Sequence, residues 1–424
     1  MGQTAGSRVT RYPVIDRAEI VRIAGEAPVG WTRFGELLDA EPAEPDVMVA
    51  WSDPAGLIYT GGTTGLPKGV LVSNLWYFPG CLRYQELFRP GPNDVHMGLG
   101  QMCHTIGSAV DILCPMYWGM TTITTRWFSV SRFWDTVRAN RVTLTVLLGT
   151  LMTRLLAASE SEDDAGNSIR LAASVTGGIP REVVDRFYQR FGIPLLEIYG
   201  QTETGPLCCI GERIGDQPYP SQGSPHGWAD MVIADPLDRP CPAGQTGEIL
   251  LRPTYPSTFM LGYLNKPDKF AEACRNLWFH TGDLGHLDDA GYLHFDGRMA
   301  HTIRHRGENV SALEIEQVVL AHPAVANCTV VGVPGAAGED EIKAYVQLQE
   351  GAIMEPDEVV KACAERIAFF KIPRYVEFVS ELPLSVTKGE VERHKLRDRG
   401  TGNAWDREAV GYRVRRPSPA RQPG

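Results

Sequence analysis

The chain has 424 residues, enough for a sizeable core and two domains, and its 43% hydrophobic and 22% charged content is ordinary for a globular protein. A net charge of −10 argues against nucleic acid and anionic membrane as partners, so an anionic ligand has to be held by local donors. No apolar run reaches the length of a membrane span, no signal-peptide core opens the chain, and nine cysteines without CxxC spacing point to a reducing cytoplasm.

In chain order, the first informative stretch is Thr60-Gly61-Gly62-Thr63-Thr64-Gly65-Leu66-Pro67-Lys68-Gly69, between apolar runs at Gly56–Tyr59 and Val70–Val72. It reads as a loop between two short strands. The glycines let backbone N–H groups approach a ligand, the threonine hydroxyls add donors, and Lys68 supplies a positive charge, which are the parts a phosphate chain needs. A Walker A loop is a poor fit: Pro67 stands between the last glycine and the lysine, and a strand follows instead of a helix. Alone, the stretch also fits an ordinary Gly/Thr turn.

Strands are expected at Asp94–Leu99, Thr121–Thr124, Val142–Leu148, Leu171–Thr176 and Pro194–Tyr199, with helices around Ala109–Met116, at Val130–Asn140 and at Pro180–Phe191. The Val142–Leu148 run is apolar enough for burial on both faces, and Glu160–Asn167 reads as an acidic loop. Such alternation implies a largely parallel sheet covered by helices. From Pro206 to Asp296, Pro and Gly punctuate short strands such as Gly247–Leu251 and Gly291–Phe295. Beyond Gly297-Arg298 a small α+β domain follows. It opens with a capping box at Ser311–Glu314 and an apolar helix face at Ile315, Val318 and Val319. Strands at Asn327–Val333 and Glu341–Leu348 and a helix at Pro356–Ile367 come next, and the Arg/Pro-rich tail beyond Tyr412 is expected to fray.

Several short segments carry chemistry. Tyr199-Gly200-Gln201-Thr202-Glu203-Thr204 follows a strand, at the carboxyl edge where α/β sheets bind ligands. A carboxylate there suits a divalent metal bridging phosphates, a hydroxyl suits a phosphate oxygen, and an aromatic can stack a base; a solvated surface turn is the plainer reading. Gly177-Gly178-Ile179-Pro180 brings bare backbone to a neighbouring edge, or simply turns into a helix with Pro at its first position. Asp283 of Thr281-Gly282-Asp283 is a natural acceptor for ribose hydroxyls.

In this order and spacing, the motifs resemble those of the adenylate-forming superfamily: acyl-CoA synthetases, luciferases and the adenylation domains of peptide synthetases. Arg304–Ser311 and Ala404–Glu408 look most like its crotonobetaine/carnitine-CoA ligase-like branch. The resemblance covers nearly all of the chain from Ala50 to Arg415. It implies an α/β fold with a large N-terminal domain over 1–296, made of a parallel αβα sheet plus a β-rich subdomain at about 206–296. A small, mobile α+β domain over 297–424 follows. Relatives carry more chain ahead of the phosphate loop, where only Met1–Asp53 stand here, so the N-terminal lobe is expected to be shortened.

By the same resemblance, Thr60, Gly62, Thr63, Thr64, Gly65 and Lys68 hold the phosphates; Gly61 stands where the family usually has serine, which removes one hydroxyl. Gly177, Gly178 and Ile179 lie beside adenine, Tyr199 lies against it, and Glu197, Gly200, Gln201 and Phe295 complete the nucleotide's surroundings. Thr202 reaches the phosphates, Glu203 holds Mg²⁺, Asp283 binds ribose, Arg298 contacts the sugar or a phosphate, and His104 stands at the mouth of the acyl pocket.

The C-terminal domain departs from the pattern twice. Relatives place Asp or Lys at the hinge two residues past the Arg298 position, where Met299-Ala300-His301 offers only Ala300. Relatives also end with a lysine that caps the α-phosphate. Counting back from Lys395 puts Glu390 in that place; counting forward from Leu382-Pro383 puts Lys388 there, with one residue inserted. An anion ~4 Å from a phosphate costs on the order of 4 kcal/mol at an effective dielectric of about 20, so either Lys388 takes the role, which is the reading preferred, or adenylation is slow, or the acid activated is unusual.

The implied reaction activates a small carboxylic acid with Mg·ATP, giving acyl-adenylate and pyrophosphate, and then transfers the acyl group to coenzyme A. Two other readings stay open: an adenylating enzyme with a different acceptor (an amine, a carrier thiol, or nitrite-type diazotase chemistry), and a degenerate nucleotide-binding protein. Homodimer formation is left open as well.

Overall fold

The structure, a computed structural model, describes residues 47–60, 67–125, 128–175, 180–211, 213–214, 217–218, 221–335, 339–384 and 391–414. The chain divides into two compact units, Met1–Val49 and Ala50–Gly424, and all elements below belong to the second.

A six-stranded sheet runs in the order Thr121–Thr124, Val95–Gly98, Leu144–Val146, Leu171–Val175, Leu195–Gln201, Gly205–Ile210. The first five strands are parallel, as the βα alternation requires, and the last turns back antiparallel on Leu195–Gln201. Alternate side chains go to opposite faces. Leu144, Val146, Leu171, Ala173, Leu196 and Ile198 pack with Tyr84, Phe88 and Val110 on one side. Met97, Ala172 and Leu195 pack with Phe133, Val137, Phe187 and Phe191 on the other. Both faces are thus covered by helices, which explains the unbroken apolar run at Val142–Leu148; its ladder is only Leu144–Val146, because Leu148 already starts the helix Gly149–Ala157.

The helix expected around Ala109 is a π-helix, Ile106–Leu113, continued by Cys114–Tyr117. A buried polar chain anchors it. The Tyr84 hydroxyl meets His96 Nδ1 at 2.9 Å, His96 Nε2 meets Asp111 Oδ1 at 2.9 Å, and Gly100 N donates to Asp111 Oδ2 at 2.8 Å. That last bond fixes the loop leading to His104.

The β-rich part is a four-stranded antiparallel sheet, Ala229–Ala234, Gly247–Pro253, Phe279–Leu287 and Leu293–Arg298. Beside it, Pro54–Thr60 and Lys68–Ser73 form the expected hairpin, extended by Gly262–Tyr263. A single apolar cluster that includes Val70, Val72, Trp76, Ile249, Leu251 and Tyr263 joins the two.

The C-terminal part has its own core, with Ile315, Val319, Val330, Val346, Val359 and Val376 in one cluster. Its sheet is ordered Val325–Pro334, Asp340–Leu348, Tyr375–Phe378, Trp405–Asp406 and is packed by the helices Ala312–Leu320 and Pro356–Arg366. The capping box expected at Ser311 does not form. The Ser311 hydroxyl donates 2.8 Å to Asp296 O, tying the helix start to the preceding β-sheet, while Glu314 pairs with Lys371 at 2.6 Å. A capping box forms instead between Glu355 and Glu358. An exposed ion pair, Arg366–Glu182 at 2.7 Å, links this part to the helix Arg181–Phe191. All nine cysteines are free thiols, and Cys103 is the exposed one.

Candidate active site

The strand Leu195–Gln201 carries its motif to the carboxyl edge of the parallel sheet and turns back within Gln201–Gly205. The turn dictates glycine at 200, since a Cβ there would collide with the carbonyl oxygen of Gly205. Gln201 N donates to Thr204 Oγ1 at 3.1 Å, closing the turn. Thr202 and Glu203 are therefore buried, each 8% exposed, and are held from outside the motif. Trp76 Nε1 donates to Thr202 O at 3.0 Å, and Met260 N donates to Glu203 O at 2.8 Å. The plain reading of this hexapeptide as a solvated turn does not hold.

Lys68 opens the second strand of the hairpin, opposite Thr60, whose hydroxyl donates to Lys68 O at 3.4 Å. From there Lys68 Nζ donates to the Tyr263 hydroxyl at 3.2 Å, and that hydroxyl donates to Glu203 Oε1 at 2.9 Å. A cation from the hairpin and the carboxylate of the turn are so joined through one phenol. Burial, reinforced by the Glu203 charge, pushes the Tyr263 phenol up, so it stays protonated.

Asp283 organises the other side. It is 4% exposed; its Oδ2 accepts from Tyr199 OH at 3.0 Å and from Gln201 Nε2 at 2.7 Å, and its Oδ1 faces Arg298 Nε at 3.6 Å. Antiparallel register places Asp283 directly opposite Arg298. Burial raises the Asp283 carboxyl above the usual range, with Arg298, Gln201 and Tyr199 partly offsetting it. Next to it the Tyr199 and Phe295 rings lie 6.1 Å apart. Glu197, raised by burial, accepts from Gln222 Nε2 at 2.6 Å, and Gln222 Oε1 accepts from Phe295 N at 2.6 Å.

His104 lies two residues ahead of the π-helix: its Nδ1 accepts from Ile106 N at 3.1 Å and its carbonyl accepts from Ser108 N at 3.0 Å. In the neutral ring the proton then sits on Nε2. Where a hinge is expected, Met299–His301 is one 3₁₀ turn, and burial together with Arg393 and Arg298 holds His301 down to about 3.

Gly61, Gly62, Thr63, Thr64 and Gly65, the backbone at Gly177, Gly178 and Ile179, and Lys388 with Glu390 lie outside the described residues. The ends of that last segment are fixed. Leu384 bridges Val391, and Arg393 makes a two-pronged pair with Glu316, its Nη2 lying 2.8 Å from Oε2.

Of the expected residues, the structure unites Lys68 and Glu203 in one cluster, and Tyr199, Gln201, Asp283 and Arg298 in another, joined by the Gln201–Glu203 turn. Sequence reasoning missed Tyr263, Trp76 and Gln222, whose partners are distant along the chain. The arrangement offers a cation and a carboxylate for phosphates and a metal, and an acidic acceptor for a sugar. Among the described residues no group of three His, Cys, Asp or Glu could hold a metal by itself. A lone carboxylate such as Glu203 suits magnesium, which keeps waters and phosphate oxygens in its shell.

Residues 5–264 match the model of the AMP-binding enzyme family, and residues 314–388 match that of the AMP-binding enzyme C-terminal domain. A crotonobetaine/carnitine–CoA ligase of Citrobacter koseri is 31% identical over 386 residues, 89% of this chain and 74% of that protein. Among solved structures, the anthranilate CoA ligase AuaEII in complex with anthranoyl-AMP superposes with a TM-score of 0.73 at 26% identity, covering 83% of this chain and 68% of that one. The O-succinylbenzoate CoA synthetase MenE of Bacillus subtilis, in complex with ATP and magnesium ion, gives 0.72 at 26%, covering 85% and 74%.

Proposed function

The chain belongs to the AMP-binding enzyme family, and from that premise we propose how its own residues divide the work of an AMP-forming acid–CoA ligase. In the first half-reaction the carboxylate of a small acid attacks the α-phosphate of Mg·ATP, and pyrophosphate leaves. In the second, the thiol of coenzyme A takes the acyl group and releases AMP. In-line displacement at phosphorus needs mainly position and charge neutralisation, so most of the catalysis falls to preorganised donors.

One observation carries the residue assignment: a single turn joins the sugar side to the phosphate side. Gln201 bonds Asp283, and Glu203, two residues on, bonds Tyr263 and through it Lys68. In this reading Asp283 accepts the ribose hydroxyls with Arg298 beside it, and Tyr199 and Phe295 border the adenine with Glu197 behind them. The loop at Thr60–Lys68 and Thr202 hold the triphosphate. Glu203 would hold magnesium, which would supply charge neutralisation to the phosphates. Gly177–Ile179 line the adenine edge, and His104 guards the acyl side. Lys388 caps the α-phosphate, since a cation suits that anionic group and the Glu390 carboxylate would repel it.

We assign residues 1–296 to the nucleotide-binding domain, with its β-rich part at about 206–296, and residues 297–424 to the domain that moves between half-reactions. Nine free thiols and two cytoplasmic co-substrates favour the cytoplasm. A homodimer is a proposal for light scattering to test. No helix among the described residues is long and apolar enough to cross a membrane.

The deciding experiment is a panel of carboxylic acids assayed for pyrophosphate release and AMP formation, with and without coenzyme A. Acid-dependent pyrophosphate release and coenzyme A-dependent turnover are expected. Silence with every acid would remove the ligase reading, and turnover without coenzyme A would redirect it to another acceptor.

A further inference from the structure

Tyr263 has a place that neither motif predicts. Its hydroxyl lies 2.9 Å from Glu203 Oε1 and 3.2 Å from Lys68 Nζ, and the residue is 6% exposed. An ammonium only donates and a carboxylate only accepts, so the direction of both bonds is fixed: the phenol gives its one proton to Glu203 and a lone pair to Lys68. The ammonium also stands 4.2 Å over the ring, a cation–π contact. The backbone repeats the same connection. Met260 N donates to Glu203 O, Tyr263 pairs with Val70, and Leu264 N donates 2.8 Å to Gly69 O. The five residues Met260–Leu264 are therefore bonded to the Glu203 turn at one end and to the Lys68 strand at the other.

We propose that Tyr263 is the positioning residue of the adenylation half-reaction, setting the distance between Lys68 and Glu203 so that the two meet a magnesium-bound triphosphate as a unit. This rests on the ligase reading above. In the free enzyme the phenol bridges the two opposite charges. With a triphosphate bound, Lys68 would turn to the phosphates while the phenol kept its bond to one carboxylate oxygen of Glu203, and the other oxygen would be left to hold a divalent cation. A hydrogen-bonded partner behind a metal-holding carboxylate is worth roughly 10–100-fold in metal affinity or activity.

The test is Tyr263→Phe in the full chain, which removes one oxygen and keeps the ring. Calorimetric affinity for Mg·ATP and the magnesium concentration at half-maximal pyrophosphate release should each worsen roughly 10–100-fold. The KM for the acid should stay where it is, while the unfolding midpoint falls modestly with the lost buried hydrogen bond. An unchanged magnesium requirement overturns the proposal, and so does an equal loss for acid and nucleotide. Should the variant not fold, 4-fluorophenylalanine at position 263 fills the space of the hydroxyl without a proton to donate; the magnesium requirement must then worsen as expected for phenylalanine, and an unchanged one overturns the idea. Calorimetry separates the two layers: a wild-type chain that binds Mg·ATP but turns over no acid removes the ligase reading while leaving Tyr263 testable, and one that binds no Mg·ATP removes both.

Discussion

Asp283 is the residue whose environment sets a pH dependence. Burial raises its carboxyl, and only the ionised form can accept two ribose hydroxyls. ATP affinity should therefore weaken as pH falls toward that raised value, earlier than for an exposed aspartate, and Asp283→Asn should flatten the acid limb of KM for ATP against pH. Stability runs the other way. The folded state holds this proton more tightly than the unfolded chain, so the contribution is complete below the ordinary carboxylate range and is lost as pH rises through the raised value. Burial shifts Glu197 in the same direction. For the lysine assignment, Lys388→Met should slow acyl-adenylate formation by roughly 10²–10³, the usual cost of one preorganised donor, while Glu390→Gln should not. Thiolysis of preformed acyl-adenylate separates the half-reactions, because Lys388→Met should leave it intact. Tyr199, Glu203 and Asp283 were legible because each sits inside a contiguous motif. Tyr263 was not, because its partners are 60 and 195 residues away and nothing local distinguishes Gly262-Tyr263 from another strand end.

At the scale of elements, the hairpin Leu195–Gln201/Gly205–Ile210 decides whether the site exists. Gly200→Ala sets a methyl against the Gly205 carbonyl oxygen, which is backbone and cannot swing away. Loss of both a lowered unfolding midpoint's worth of stability and Mg·ATP binding is expected, read by thermal unfolding and calorimetry, whereas Gly192→Ala, in open space at a helix end, should cost stability alone. The parallel strands were readable from apolar runs and Pro/Gly punctuation. The missing capping box at Ser311 was not, since the hydroxyl chose a carbonyl on another element over its own helix. The π-helix at Ile106–Leu113 was equally hidden: His96 and Gly100 hold its Asp111 from outside the helix, and no local propensity reports such contacts.

For the whole molecule, the C-terminal part has its own core and reaches the helix Arg181–Phe191 through Arg366–Glu182, with both side chains 49% exposed. Such a surface pair is worth ~0–1 kcal/mol and is screened by salt, which suits the movement proposed above for the C-terminal part. Arg393–Glu316 is different: the carboxylate is 5% exposed and the arginine begins just past the segment that bears Lys388. Arg393→Met strands that buried charge and should cost about 3–5 kcal/mol in urea unfolding, with part recovered in the double variant Arg393→Met/Glu316→Gln. The branch read from Arg304–Ser311 agrees with the Citrobacter koseri relative. Finally, Cys103 stands next to His104 while the other thiols are half-buried or enclosed. A maleimide dye added to native enzyme should attach fastest at Cys103, beside the histidine proposed to guard the acyl side, giving an optical reporter of substrate arrival without engineering a cysteine-free background.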